Sequence, residues 1–411
     1  MKEANQPSIH PSSFILHPSS LILHPSSFII LHNRYRQSGG EDVVVAVQAQ
    51  LLKEKGHVVR VFEKDNRGID RYGLFRKIAL FFKTADNTKA ALEVARIVEE
   101  FKPQIALVHN TLPLLSPAIY APLKKAGVKV VQFLHNYRLV CPAGTLYRDG
   151  RQCELCASDG LGHAVKYRCW NNSLMASLAV ARMLQRHRRA RTWHTQVDMF
   201  VALNTYMRDW LLKVGIAPAE KIIVQPNFSY FNYIAATSVA VTEPGDGFIY
   251  AGRLAPEKGI RTLLAAHAEL KDVSLKIIGE WPNDRRDGAG SSSDVFTGYQ
   301  SREQTLREIA AARALVFPSE WQEPFGLSII EAMALSKPVI ASRVAGPKEI
   351  VQDGVTGMLF EPGDVKSLAD CMRRLHENPE LAARLGRAGR DRYLKEYSPE
   401  AGYRRLMEIC E

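Results

Sequence analysis

Short apolar runs alternate with longer stretches of helical periodicity from Phe28 onward. The first half of the chain predicts strands at Phe28–Leu31, His57–Phe62, Ile105–Val108 and Val128–Leu134. Helices are predicted between them, at Glu41–Lys55, within 72–101 and after Ser116-Pro117, because proline suits a helix start. Strands that alternate with helices are typical of a parallel sheet covered on both faces.

A second series of the same kind begins near Gly247. Its apolar runs read FIYAG, VSLKIIG, VFTG, ALVFP, PVIAS and GMLF, and helices are predicted at Pro256–Leu270, Arg302–Ala312, Leu327–Leu335 and Val365–His376. The intervening stretch is poor in charge and predicts a linker. We therefore expect two doubly wound, Rossmann-like α/β domains facing a central cleft, a common place for a ligand. The expected divisions are domains at 28–225 and 247–397, a linker at 226–246 and a final helix at 398–411.

The first residues carry a repeat that does not fit this pattern. HPSSFIL, HPSSLIL and HPSSFII begin at His10, His17 and His24. A proline in every repeat forbids a regular helix and interrupts any apolar core of a signal peptide. We expect a disordered low-complexity tail over 1–27, or translated repeat DNA ahead of the true start. A histidine-rich metal tract is the alternative.

Composition narrows the classes of protein. A chain of 411 residues suits two domains, and a formal net charge of +11 favours anionic partners. Six cysteines are too few for a disulfide framework. No apolar run approaches the roughly 18–20 residues of a membrane span, and no secretion signal is recognised, so we expect a cytoplasmic protein.

Three predicted strands end in the same dipeptide. His32-Asn33, His109-Asn110 and His135-Asn136 each follow an apolar run. In open α/β sheets, ligands bind at the carboxyl ends of the strands. These pairs therefore mark a candidate ligand site, although asparagine and histidine could simply end strands and cap turns.

Two glycine-containing loops carry candidate anion-binding groups. In YAGRLAPEKGI, Arg253 and Lys258 could clamp a diphosphate, since arginine offers a planar fork and lysine a point charge. Gly39 and Gly40 would let the backbone approach an anion at a helix start. The alternatives are two ordinary surface cations and a plain tight turn.

The strongest motif is SEWQEPFGLSIIEAMALSKPVIAS. Glu323 precedes the turn Pro324-Phe325-Gly326, and Glu331 follows about one turn into a helix that begins near Leu327. Ionised carboxylates accept hydrogen bonds from neighbouring hydroxyls, as a sugar or ribose offers. The alternative is two acidic residues favoured by the positive end of the helix dipole.

Taken together, these motifs and the segment PVIASRVAGPKEIVQDGVTGMLFEPGD resemble a retaining glycosyltransferase of family 4, with the GT-B fold. The resemblance implies a hexosyl transfer from a UDP- or GDP-sugar to a glycan, lipid-linked or small-molecule acceptor, with retention by front-face attack. No divalent metal would be required at the diphosphate, and the chain contains no Asp-x-Asp. The polar loop EWPNDRRDGAGSSSD departs from the family pattern where the base is framed, so the base stays open.

The resemblance also implies residue roles. Catalytic roles fall to Glu323, which would contact the donor sugar, and His135, which would lie beside it. Substrate-binding roles fall to Arg253 and Lys258 at the diphosphate, Glu331 at the ribose, Gly39 and Gly40 at the phosphates or acceptor, and Phe325 and Gly326 in the turn.

Two further segments carry hypotheses of their own. Cys153 and Cys156 form a CxxC flanked by Cys141 and Cys169, which suits a structural zinc site, with buried thiols as the alternative. Between 160 and 197 there are seven Lys or Arg and no Asp or Glu. Residues 174–193 could form an interfacial helix on an anionic membrane, or a basic face that steers a phosphorylated acceptor.

Other functions remain open at this point. A sugar-nucleotide epimerase or a phosphorylase could use the same architecture. A zinc- and nucleic-acid-binding protein would explain the cysteines and the basic stretch but would leave the two glutamates unexplained, so no nucleic acid is expected.

Overall fold

The computed structural model describes residues 25–36, 39–229, 245–270, 273–281 and 296–411. Most of the predicted tail at 1–27 lies outside these residues. The predicted linker at 226–246 and the polar loop at 280–294 also lie largely outside them. The domain division therefore stays a prediction, although the two sheets described below are clear.

The first half builds a six-stranded sheet with the order β2-β1-β3-β4-β7-β8, in which all neighbours are parallel. Its strands are β1 (Ser27–Arg34), β2 (Val58–Asp65), β3 (Ile105–Val108), β4 (Lys129–Leu134), β7 (Met199–Ala202) and β8 (Ile222–Val224), and a separate hairpin contains β5 (Tyr147–Arg148) and β6 (Arg151–Gln152). The helices are α1 (Gly40–Glu54), α2 (Leu74–Lys83), α3 (Thr88–Phe101), α4 (Tyr120–Lys125), α5 (Leu155–Ser158), α6 (Gly162–Lys166), α7 (Leu174–Arg189), α8 (Thr192–Gln196) and α9 (Thr205–Lys213).

The second half builds another six-stranded parallel sheet with the order β11-β10-β9-β12-β13-β14, the strand order of dinucleotide-binding domains. Its strands are β9 (Phe248–Ala251), β10 (Leu275–Ile278), β11 (Phe296–Gly298), β12 (Ala314–Phe317), β13 (Val339–Ser342) and β14 (Gly357–Phe360). The helices are α10 (Ile260–Ala268), α11 (Arg302–Ala311), α12 (Leu327–Ala334), α13 (Ala345–Ile350), α14 (Val365–Glu377), α15 (Pro379–Glu396) and α16 (Pro399–Cys410). The predicted pair of Rossmann-like domains is confirmed.

Both faces of the sheets are buried at their inner strands, such as β1, β3 and β12, which is why those strands read as continuous apolar runs. Along β1, Ile29 and Leu31 pack into the core on one face, and Phe28 and Ile30 pack into the core on the other. Strand side chains alternate between faces, so one short run supplies two cores.

Two local predictions were wrong. The helix expected over Pro256–Leu270 is divided at Gly259, where φ is +69° and an added Cβ would overlap the carbonyl oxygen of Pro318. The strands β7 and β8 were missed entirely. The run MFVALN around β7 repeats the apolar-then-asparagine pattern of the other strand ends and could have identified it.

The two halves are interlocked by side chains that cross between them. Trp321 of the second half is buried in the core of the first, and Leu203 of the first half is buried in a core of the second. The final helix α16 returns to the first sheet, where Leu406 and Met407 pack against β1 and β4. Its Tyr403 hydroxyl lies 2.8 Å from Nε2 of His57.

We expect Leu406→Ala to lower the free energy of unfolding by about 2–5 kcal/mol, because a leucine that is 1% exposed leaves a cavity when truncated. Urea denaturation measures the effect. Leu394→Ala on α15 is the matched control, since that side chain is exposed and its loss should cost less than about 0.5 kcal/mol. Equal losses in the two variants would contradict the packing of α16.

Candidate active site

The carboxylate of Glu323 lies in the turn that links β12 to α12, and three donors hold it. Lys258 Nζ is 2.6 Å from Glu323 Oε2, Trp321 Nε1 donates to the same oxygen at 2.7 Å, and Ser319 Oγ donates at 3.0 Å. Both charged side chains are largely buried, at 16% exposed for the lysine and 12% for the glutamate. The structure therefore brings together two residues that the sequence predicted for different parts of a ligand.

Arg253 lies in the same loop system but points to a different acid. Its Nη2 is 2.8 Å from Glu257 Oε1, and about half of its side chain is exposed. The Tyr250 hydroxyl donates to the Arg253 carbonyl oxygen at 2.8 Å. Burial raises the pKa of Tyr250, and Glu323 and Glu257 raise it further. Arg253 and Glu323 thus both lie close to Tyr250 at the end of β9.

Glu331 lies in α12, about one turn after its start, as predicted. Its Oε1 is 2.8 Å from Arg302 Nη2, and the carboxylate is buried. Burial raises the pKa of Glu331, and the Arg302 guanidinium opposes that shift. Sequence reasoning missed Arg302. Its position at the start of α11, directly after the capping Ser301, was the available signal, since the helix dipole disfavours a cation there.

Three strand-end histidines converge in the first half. His109 Nδ1 lies 2.9 Å from His135 Nε2, and the two rings stack with centroids 5.2 Å apart. The ring of His32 meets that of His109 edge-on at 6.2 Å, and its Nε2 lies 2.8 Å from Asp42 Oδ1. The candidate His135 is therefore the outermost member of a buried chain of imidazoles that begins at a carboxylate.

Burial favours the neutral form of His109 and His135. It lowers the pKa of His109 well below its ordinary value, and it also lowers the pKa of His135. Among the described residues, His109 Nε2 is buried without a hydrogen-bond partner. Because a buried N–H is rarely left unpaired, the proton of His109 is better placed on Nδ1, where it is donated to His135 Nε2. A ligand contact of His135 would then be made through its Nδ1.

The asparagines of the three dipeptides form hydrogen bonds to the backbone of the loops that follow the strands. Asn33 Oδ1 accepts from the Leu114 amide at 2.9 Å, and Asn110 Nδ2 donates to the Asn33 carbonyl at 2.7 Å. Asn136 Oδ1 accepts from the Arg138 amide at 3.0 Å. The capping interpretation thus applies to the asparagines, whereas the histidines form a cluster.

Gly39 and Gly40 lie at the start of α1, but the Gly39 amide is not free to bind an anion. The Gly39 amide donates to Asp42 Oδ2 at 2.9 Å, which pairs that donor within the helix start. A Cβ on Gly40 would lie 3.0 Å from Leu327 Cδ1 of the second half. The absence of a side chain at Gly40 therefore lets the two halves approach closely.

The turn around Phe325 joins the two groups of candidate residues. Asn204 Nδ2 donates to the Pro324 carbonyl at 2.6 Å, and the Tyr137 ring meets Trp321 edge-on at 6.4 Å. Phe325 is buried, and a Cβ on Gly326 would lie 2.7 Å from Ile329 Cδ1. Both residues shape the turn. Trp321 and Tyr137 connect the environment of Glu323 to the strand end that carries His135.

The four cysteines Cys141, Cys153, Cys156 and Cys169 line one small cavity of about 20 Å³, together with His163. Burial raises the pKa of Cys156 to about 12. Within the described residues, no group of three or more His, Cys, Asp or Glu side chains is arranged to hold a metal ion. The structure does not support the zinc hypothesis.

The basic stretch forms α7 and α8, and most of its apolar residues face inward. Val180, Met183 and Leu184 are buried in the core, whereas Leu174 and Met175 are exposed. The exposed apolar side chains over 174–193 are therefore limited to the first turns of α7, and the interfacial helix stays a prediction. In the part of the chain that the structure describes, no helix has the length and apolar character needed to cross a bilayer.

Comparison with known protein families agrees with the two-part architecture. Residues 38–228 match the family described as Glycosyltransferase Family 4, and residues 240–392 match Glycosyl transferases group 1. The second match contains Arg253, Lys258, Glu323 and Glu331.

Individual relatives have the same character. An alpha-D-kanosaminyltransferase of Streptomyces kanamyceticus is 33% identical over 33% of this chain and 38% of its own. A glycogen synthase of Mycobacterium tuberculosis is 30% identical over 49% of this chain and 50% of its own. The chain thus spans half or less of the length of these relatives.

Among solved structures, HepE of Anabaena in complex with UDP-glucose superposes with a TM-score of 0.62 at 17% identity, over 93% of this chain and 98% of that one. This likeness concerns the fold. The comparisons do not favour an epimerase, a phosphorylase or a nucleic-acid-binding protein.

We expect the stability of the protein to fall as the pH drops below about 6.5, in part because His109 stays neutral when folded and takes up a proton when unfolded. His109→Asn removes that proton uptake while keeping a polar group near Nδ1. The stability gap between wild type and variant should therefore narrow by up to about 1.4 kcal/mol per pH unit between pH 6.5 and pH 5. Urea unfolding at several pH values measures this. Parallel curves for the two proteins would contradict a buried, neutral His109.

Proposed function

We propose that this chain, which matches Glycosyltransferase Family 4 over residues 38–228 and Glycosyl transferases group 1 over residues 240–392, transfers a hexosyl group from a nucleotide diphosphate sugar to an acceptor with retention of configuration. The observation that carries the proposal is the pairing of Lys258 with Glu323 at 2.6 Å, in the same matched domain as Glu331. The UDP-glucose complex of HepE supports a UDP-sugar as the first donor to test.

In this proposal the donor exchanges partners within the site. Arg253 and Lys258 are each paired with a carboxylate, Glu257 and Glu323, at 2.8 and 2.6 Å. A diphosphate carries more negative charge than either carboxylate and offers more acceptor oxygens. When it draws Lys258 away, the carboxylate of Glu323 is released to accept hydrogen bonds from hydroxyls of the donor sugar.

The two cations then stabilise the leaving group. As the bond between the anomeric carbon and the diphosphate breaks, negative charge grows on the departing oxygen, and fixed cations there stabilise the transition state. The acceptor oxygen bonds to the anomeric carbon on the face that the diphosphate leaves, and its proton passes to the departing phosphate oxygen. No divalent metal is needed to balance this charge.

The remaining candidates orient the donor and the acceptor. Glu331, held by Arg302 at 2.8 Å, would accept hydrogen bonds from the ribose hydroxyls. His135, whose Nε2 is engaged by His109, would present Nδ1 to the sugar. Gly39 and Gly40 would line the acceptor side, and Phe325 and Gly326 would hold the turn that carries Glu323. The acceptor is a glycan, a lipid-linked sugar or a small molecule.

We expect Arg253→Ala and Lys258→Ala each to raise the donor KM and to lower kcat, because both cations act on the diphosphate and its charge increases as the bond breaks. Steady-state transfer or donor hydrolysis measures both constants, after a thermal-shift screen of UDP and GDP has identified the base. Arg307→Ala, which removes an exposed arginine from α11, is the control and should leave both constants unchanged. EDTA should have no effect. A strict requirement for Mg²⁺ or Mn²⁺ would contradict this mechanism.

Substitutions of the two glutamates should affect nucleotide binding and turnover differently. Glu331→Gln should weaken binding of the free nucleotide and of the donor alike, because both carry the ribose. Glu323→Gln should leave the affinity for free nucleotide nearly unchanged while kcat falls by ~10²-fold or more. Calorimetry with the free nucleotide and turnover assays measure the two effects. Loss of nucleotide binding in Glu323→Gln with normal binding in Glu331→Gln would reverse the assignment.

A further inference from the structure

The helix α2 leaves its apolar side chains in solvent. None of its ten residues is buried, and Leu74, Phe75, Ile78 and Phe82 are 72%, 87%, 49% and 55% exposed. Their spacing places them along one face of the helix. Removing phenylalanine, leucine and isoleucine side chains from water is favourable, so a partner that covers this exposed face would be stabilised by its burial.

The first turns of α7 extend this face. Arg182 of α7 lies over the ring of Phe82, with its guanidinium carbon 5.4 Å from the ring centroid, and one turn later Arg186 pairs with Asp86 at 2.6 Å. The contact of Arg182 with Phe82 and the contact of Arg186 with Asp86 follow the same order along the two segments. The helices α2 and α7 therefore run in the same direction, and their first turns lie at the same end of the pair. The apolar surface is accordingly defined by the exposed residues Leu74, Phe75, Ile78, Phe82, Leu174, Met175 and Leu178.

Cations border this surface. Residues 71–83 contain Arg71, Arg76, Lys77 and Lys83 and no Asp or Glu, and α7 contributes Arg182 beside the ring of Phe82. Each Lys or Arg near an anionic bilayer is attracted to its negatively charged headgroups. Apolar side chains flanked by cations fit the boundary between lipid headgroups and acyl chains.

A second copy of the chain fits this surface less well. A symmetric dimer would press each cationic border against its own copy, which is repulsive. Nucleic acid would use the cations and could stack on Phe75, but it would leave the aliphatic side chains of Leu74 and Ile78 without an apolar partner.

We propose that the apolar surface of α2 and the start of α7 docks on a membrane that contains anionic lipid. The helix α2, about 15 Å long, would lie in the plane of the interface with its apolar face among the acyl chains. This inference does not rest on sugar transfer, because the surface lies outside the groups assigned to the donor.

The test is co-sedimentation of the full chain with vesicles of phosphatidylcholine alone and with vesicles that also contain phosphatidylglycerol. We expect binding to the second kind only. Phe75→Ser combined with Ile78→Ser should weaken that binding by ~10-fold or more, and so should Arg76→Ser combined with Lys77→Ser. The matched controls are Leu394→Ser and Lys395→Ser on α15, which remove an exposed leucine and an exposed lysine elsewhere and should bind as wild type does.

Three results would overturn the proposal. The first is vesicle binding that is unchanged by Phe75→Ser with Ile78→Ser. The second is a dimer in solution that this double variant converts to a monomer, since the surface would then join two copies. The third is binding of single-stranded polynucleotide, lost in the double variant, without binding to either kind of vesicle. Thermal shift of the same variants with nucleotide reports on the donor site and not on membrane binding. A failure of the membrane proposal can therefore be distinguished from a failure of the proposed transfer activity.

Discussion

The position of the Glu323 carboxylate depends on the short turn 319–326, which both halves of the molecule hold. The Trp321 indole donates to that carboxylate while its ring is buried in the core of the first half. Asn204 of the first half donates to the carbonyl of Pro324 in the same turn. The second half supplies the donors to the candidate carboxylate, and the first half holds the turn that carries it, so a relative movement of the halves would alter the position of the carboxylate along with the width of the site.

The charged side chains of the candidate site form ion pairs with one another. Each cation that could receive a diphosphate already has a carboxylate partner, and Glu331 is buried against Arg302. Removing one member of a largely buried pair leaves the other charge uncompensated, which is costly. An anionic ligand must therefore compete with side chains of the protein, and selectivity follows from how many of these pairs it can replace at once.

The sequence predicted those parts of the structure that depend on local pattern. β3 and β14 lie where the apolar runs placed them, and Glu331 occupies the predicted turn of its helix. The features that the sequence did not predict depend on contacts between distant segments of the chain. The hydrogen bond between His109 and His135, the Arg302 partner of Glu331 and the packing of Trp321 across the halves join residues with no fixed sequence spacing. The spacing of the four cysteines predicted that they lie together but could not predict whether their sulfur atoms converge on a metal ion.

The return of α16 to the first sheet has a consequence for biosynthesis. A ribosome completes the strands of that sheet about 185 residues before it completes the helix that packs on one of its faces. At roughly 5–20 residues per second, the part of the face that Leu406 and Met407 will cover stays uncovered for about 9–37 s, while Val45, Ala49 and Leu52 of α1 already cover another part. The part of this face that Leu406 and Met407 cover is therefore packed only after α16 has been synthesised.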